Sequence, residues 1–372
     1  MAGIYIHIPF CKQACHYCNF HFSNQINGKN DFIEALLKEI EMQKGYLNNK
    51  AISTIYFGGG TPSLLEQDDV KKIFEKLHQY FTINPDAEIT FEANPDDLTT
   101  QKLSTLRALS INRLSIGIQS FIERDLKFMN RAHDSLQART CVEQAKNEGF
   151  NNISIDLIYG LPDLTNEEWE TTLQTAFELS IQHISSYCLT VEPKTALAKS
   201  IEMGRIPKGD EEKSATQFEI LMKRMAENQF LHYEISNFCR ERYYSRHNSN
   251  YWNGEWYLGL GPSAHSFNGQ TRQWNISNNY KYINSIFKKN IPFERESLTN
   301  VQQLNEYIMT SLRTHWGCDL KRVKNDFRKD YPEVRKNLEK ISSDYFLEAD
   351  EKIFLTEKGK LVADRIILEM IV

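Results

Sequence analysis

Ile4-Tyr5-Ile6-His7-Ile8-Pro9-Phe10-Cys11-Lys12-Gln13-Ala14-Cys15-His16-Tyr17-Cys18-Asn19-Phe20 opens the chain with a short alternating run and a tight cysteine loop. Ile4, Ile6 and Ile8 alternate with Tyr5 and His7 at the period of a strand, and Pro9 interrupts it. Working outward, similar β-branched or aromatic runs recur at 53–57, 88–92, 114–118, 153–158 and 184–189. Amphipathic segments separate them, such as Phe32, Ile33, Leu36, Leu37 and Ile40, then Val70, Ile73, Phe74 and Leu77, with i, i+3/i+4 spacing. Six β-α units in sequence predict an α/β fold with a parallel sheet and right-handed crossovers, either doubly wound or curled into a barrel.

Polar and glycine-rich positions gather where these strands end. The cysteine loop follows the first, and Gly58-Gly59-Gly60-Thr61-Pro62 follows the second. Glu92 ends the third, Gln119 the fourth, Asp156 lies in the fifth, and the sixth runs into Thr190. Ligands bind at the carboxyl ends of strands in barrels and open α/β sheets alike, so one mouth is expected to collect these residues.

Beyond them a helix is predicted over 208–228 and a brief strand at 232–235. Residues 240–279 are rich in Tyr, Trp, Asn and Gly and read as an irregular, aromatic-packed segment. The tail, with Ile353-Phe354-Leu355-Thr356-Glu357-Lys358-Gly359 before an apolar-periodic run, resembles the wing and last helix of a winged-helix module. Three regions are expected: 1–239, a connecting segment 240–296 and a mainly helical C-terminal domain 297–372.

Hydrophobic residues make up 41% and charged residues 25% of the 372, an ordinary globular balance. Lys plus Arg number 44 against 49 Asp plus Glu, so the net charge of −5 provides no global basic field for nucleic acid. Lys321, Arg322, Lys324, Arg328 and Lys329 are interspersed with Asp326 and Asp330, which argues against a nucleic-acid face in the C-terminal domain too. The N-terminus shows no basic region followed by an apolar signal core. No run of ~18 apolar residues occurs that would cross a membrane. A cytoplasmic protein is expected, whose seven cysteines are reduced and, where clustered, metal-binding.

Cys11, Cys15 and Cys18 place three thiolates on one loop, whereas a [4Fe-4S] cube ordinarily takes four. The iron left open can be chelated by the amine and carboxylate of S-adenosylmethionine (SAM), and an electron passed to the sulfonium then yields a 5′-deoxyadenosyl radical. Zinc is the rival reading, with His7, His16 or His21 as a fourth ligand. The glycine run lets backbone N–H groups approach a ligand closely. No Lys-Ser/Thr pair follows it, so a nucleoside-triphosphate loop fits poorly. Glu92 suits a cationic amine and Arg131 a carboxylate, both present on SAM.

The stretch from Tyr5 through Cys11, Cys15 and Cys18 to Phe20 resembles the radical SAM proteins of the oxygen-independent coproporphyrinogen III oxidase group and, within it, the HemW-type heme chaperones. That resemblance implies a partial (β/α)6 barrel, a [4Fe-4S] cluster on the three cysteines, and SAM surrounded by Tyr5, Tyr17, Gly59, Gly60, Thr61, Glu92, Gln119, Arg131, Asp156 and Thr190. His247-Asn248-Ser249-Asn250-Tyr251-Trp252 is similar to an H-N-x-x-Y-W signature linked with heme, which implies His247 as a heme contact; taken alone, a histidine in an aromatic loop is ordinarily structural. His265 is a weaker candidate ligand. The oxidases carry a further cysteine two residues after the third ligand where this chain has Phe20, a departure that favours the chaperone branch. The resemblance thus implies heme or another tetrapyrrole as ligand and a heme-acceptor protein, itself soluble or membrane-associated, as partner. The enzymatic alternative is oxidative decarboxylation in porphyrin biosynthesis.

Overall fold

A computed structural model describes residues 1–372. The six runs form strands β1 (Ala2–Ile8), β2 (Ile52–Gly59), β3 (Ile83–Ala93), β4 (Arg113–Gln119), β5 (Ile153–Tyr159) and β6 (His183–Cys188), parallel and in chain order. Ile4, Ile6 and Ile8 share one core with Phe32 and Leu36 of the helix Lys29–Met42. On the opposite face, a Cβ on Gly3 would meet Thr54 and His247, and one on Gly58 would meet Tyr56, Tyr5 and Glu92. Side chains from β2 through β6 line a single cavity. Strands lie about 4.8 Å apart, so a flat sheet this wide could not bring them together. The sheet is therefore curled, and the barrel alternative holds.

β7 (Leu231–Glu234) and β8 (Asn237–Cys239) pair antiparallel to each other and extend the sheet beyond β6. The aromatic-rich segment departs from its expected irregularity. It folds into a short helix, Arg246–Trp252, and the strands β9 (Trp256–Leu260), β10 (His265–Phe267), β11 (Thr271–Asn275) and, just beyond, β12 (Phe293–Ser297). β9 runs parallel to β1, and β10 to β12 continue antiparallel to the opposite edge, giving the order β12-β11-β10-β9-β1-β2-β3-β4-β5-β6-β8-β7. These elements span three to seven residues each, too few for periodicity to emerge from sequence.

The C-terminal region has its own core, including Leu304, Ile308, Val323, Val334, Ile353 and Met370. The helices Asn300–Leu312, Leu320–Asp326 and Tyr331–Leu338 precede a hairpin, and Ala363–Met370 closes the chain. β13 (Cys318–Asp319), β14 (Phe346–Ala349) and β15 (Lys352–Leu355) form a sheet in the order β13-β15-β14, the strand order of a winged helix. This region meets the barrel through Arg313, whose Nε lies 3.1 Å from buried Glu234. Two backbone bonds flank that pair, Ile235 N–H to Arg313 O and His315 N–H to Tyr233 O. No helix is long and apolar enough to cross a membrane.

Candidate functional site: the barrel mouth and its plug

The cysteine loop is pinned at both sides. Cys11 N–H donates to Ser23 O and Ser23 N–H to Pro9 O, closing its base. Gln13 donates to Asn130, Asn130 Nδ2 to Ala14 O at 2.8 Å, and His16 N–H to Met129 O, tying the loop to residues 128–131. Arg131 on that segment sends Nη1 toward Cys15 Sγ (3.3 Å) and Nη2 to Asn94 Oδ1 and Gly117 O. Thr61 Oγ1 donates to Cys11 Sγ at 3.4 Å. Burial pushes the Cys11 thiol up to about 11 and raises that of Cys18, so a cation must replace the proton before these sulfurs are held as thiolates.

The three histidines of the zinc reading are each held elsewhere through at least one ring nitrogen. His7 is bonded to Tyr5 and to His21 O, His16 Nδ1 lies 2.9 Å from Phe128 O, and His21 Nε2 lies 2.7 Å from Asn279. No three His, Cys, Asp or Glu side chains converge on one point as a single ion requires. A cubane presents its iron at separate corners, which suits three thiols spread around a loop.

Beside the loop lies a cavity of about 430 Å³. Its walls include Cys11, Cys15, Tyr17 and Cys18, the Gly59-Gly60-Thr61 turn, Glu92, Gln119, Arg131 and Asp156, with Thr190 at the rim. The glycines are there for space and conformation. Gly59 has φ +106°, and a Cβ on Gly60 would come within 2.6 Å of Phe10 O. Glu92 accepts a hydrogen bond from the Tyr56 hydroxyl at 2.7 Å, and burial lifts its carboxyl to about 7. Burial likewise lifts Asp156 to about 6, with Arg113 opposing the shift. Arg131 Nε is buried without a partner. A concave, largely buried mouth with adjustable carboxylates, a guanidinium and close backbone suits a ligand bearing an amine, a carboxylate and a flat ring.

Ten of the eleven residues expected around the cofactors stand as follows: nine line this cavity, and Tyr5 does not. Tyr5 packs beneath it, its ring 6.1 Å from that of Tyr56 and 6.4 Å from that of His247, and Tyr56 on β2 takes the wall position. The eleventh, His247, lies deeper still. It is 1% exposed, with Nδ1 2.8 Å from Thr54 Oγ1 and Nε2 2.8 Å from the Tyr251 hydroxyl. Burial pushes its imidazole down to about 3. Both ring nitrogens are occupied, so none is free for an iron atom in this arrangement. The helix Arg246–Trp252 instead plugs the barrel, and Asn248, the residue after the histidine, reaches the cavity wall. Sequence reasoning also passed over Tyr56, Arg113, Asn94 and Ser185. Tyr56 was recoverable from β2, where Thr54, Tyr56 and Gly58 alternate onto the inner face; Arg113, 1% exposed at a strand start, carried no signal.

The profile of the Radical SAM superfamily matches residues 5–176, from β1 into the helix Asn166–Glu178. The heme chaperone HemW of Bacillus subtilis is 34% identical over 373 residues, covering 98% of this chain and 98% of that protein. The chain belongs to the HemW family. A second HemW, from Mycobacterium tuberculosis, is 31% identical over 98% of this chain and 93% of its own. Among solved structures, the coproporphyrinogen III oxidase HemN of Escherichia coli, a radical SAM enzyme, superposes with a TM-score of 0.87 at 25% identity, covering 100% of this chain and 90% of that one. The HemW likeness runs well past the superfamily match, across the plug, β9 to β12 and the C-terminal core. In this HemW-family chain Phe20 is 69% exposed and stands at the cavity wall beside Cys18.

Proposed function

We propose that this protein is a heme-binding chaperone on a radical SAM scaffold, which delivers heme to an acceptor protein. The observation that carries the reading is identity of 34% with a heme chaperone over 98% of both chains. The residues present fit the two cofactors of the scaffold: three partly buried thiols on one loop, an unpartnered Arg131 Nε, and a glycine turn whose surroundings exclude a Cβ. Cys11, Cys15 and Cys18 would hold a [4Fe-4S] cluster, and Tyr17, Gly59, Gly60, Thr61, Glu92, Gln119, Arg131, Asp156 and Thr190 would surround SAM. When bound, the cluster supplies an electron to the sulfonium of SAM. Arg131 holds Cys15 and the β4 carbonyl of Gly117 in one place, while Glu92, fixed by Tyr56, offers a carboxylate to a cationic amine. Hemin titration tests the reading: a shifted Soret band on binding is expected, and no shift overturns it. Iron and sulfide analysis of anaerobically prepared Cys15→Ala, expected to lose both, tests the cluster.

A second reading, oxidative decarboxylation of coproporphyrinogen III, is favoured by the HemN superposition across the whole chain. Phe20, where the oxidases carry a cysteine, speaks against it. Anaerobic incubation of the cluster-loaded protein with SAM and coproporphyrinogen decides, since absence of protoporphyrinogen removes this reading.

A further inference from the structure

The heme-chaperone reading leaves open where heme sits, because His247 has no free ring nitrogen. Of the ten histidines, His7, His16, His21, His133, His183 and His232 are hydrogen-bonded within the protein. His78 stands on an exposed helix surface, and His315 borders a pocket of only about 140 Å³. His265 differs from all of them. It is exposed on β10, neither ring nitrogen is engaged, and it lines a cavity of about 890 Å³ between β9–β12 and the C-terminal domain.

That cavity has the chemistry of a macrocycle seat. Its walls carry Tyr251, Trp252, Tyr257, Phe267, Trp274 and Tyr307. The Trp274 ring lies 6.0 Å from that of His265 at 27°, so the imidazole is braced from one side. Flat aromatic walls cover an apolar macrocycle, and a neutral imidazole ligates its iron. Arg272 is paired with Glu306 at 2.7 Å, whereas Arg322, half-exposed over the Tyr307 ring, holds only a solvent-exposed pair with Asp326 at 3.5 Å, weak enough to be exchanged for carboxylates at the mouth. Volume agrees as well, since ligand cavities run from about 300 to 1,000 Å³ and favour domain interfaces. Tyr251 and Trp252 come from the same helix whose Asn248 lines the barrel cavity, so one motif faces both sites.

We infer that heme binds in this second cavity, with His265 as axial ligand through a ring nitrogen and Arg322 facing the propionates; this rests on the heme-chaperone reading. The test is hemin titration of the full-length protein beside His265→Ala, with far-UV circular dichroism and the urea midpoint confirming that the variant folds. The expected result is at least a tenfold loss of hemin affinity and a displaced Soret maximum, with the wild-type Soret position restored by added imidazole. Binding by His265→Ala with unchanged affinity and spectrum overturns the site while leaving the chaperone reading intact. Failure of the wild type itself to bind hemin overturns both. A His247→Ala protein that folds yet loses the Soret signal, with recovery in imidazole, would also overturn the assignment by returning the ligand to the plug.

Discussion

His247 sits between two hydroxyls, Thr54 on β2 and Tyr251 one turn along its own helix, under the Tyr56 ring at 5.1 Å. His247→Ala removes the ring and leaves both hydroxyls buried with a lost partner. The expected destabilisation is about 2–4 kcal/mol, from a cavity and unsatisfied polar groups together, read from urea unfolding. The pH dependence has a definite sign. Burial, with a smaller contribution from Arg113, holds the folded imidazole down at about 3, whereas the unfolded value lies near 6.5. Below 6.5 the unfolded chain binds a proton that the folded chain does not. The stability that depends on neutral His247 is thus complete above 6.5 and is lost progressively as pH falls toward 3. The difference in unfolding free energy between wild type and His247→Gln is expected to shrink over that window in urea melts at stepped pH. The cysteine triplet was legible in sequence because its spacing is local. The role of His247 was not, because Thr54 lies 193 residues away.

The plug helix is seven residues long and takes its stability from what surrounds it. Its first N–H groups have no partners within the helix, and Glu88 on β3 supplies them, accepting from Arg246 N at 3.1 Å and His247 N at 3.0 Å. Glu88→Ala is expected to reduce stability by about 1–3 kcal/mol. It is also expected to weaken SAM binding to the cluster-loaded protein, since Asn248 loses its fixed place at the cavity wall; calorimetric titration with SAM checks the second effect. The first six strands could be read from alternation because each has an apolar outer face packed on helices. The plug helix and β9 to β12 could not, being short, and β12 has no buried residue at all.

At the scale of the molecule, two cores meet at an ion pair that is dry on one side. Glu234 is 1% exposed and Arg313 23% exposed, and Arg313 also reaches Asp364 at 2.9 Å. Arg313→Ala leaves a buried carboxylate with only Asn237 and the Ser236 N–H. A loss of about 2–3 kcal/mol is expected, below the range for a fully buried pair because the arginine is partly solvated. Hydrogen exchange checks the location: protection is expected to fall first in residues 298–372. Periodicity left barrel and open sheet unresolved, and the answer lay in polar residues at successive strand ends that only a curled sheet brings together.

β1 is flanked by β2 on one side and β9 on the other, with Ala2 registered against both Ile52 and Trp256. The ribosome therefore releases the first strand roughly 250 residues before its second neighbour exists, a delay of about 12–50 s at ordinary elongation rates. Throughout that interval the three thiols hang from an unfinished sheet, open to oxidants and stray metals. Closure of the sheet on that side of the three-thiol loop thus waits on a strand that carries no cysteine.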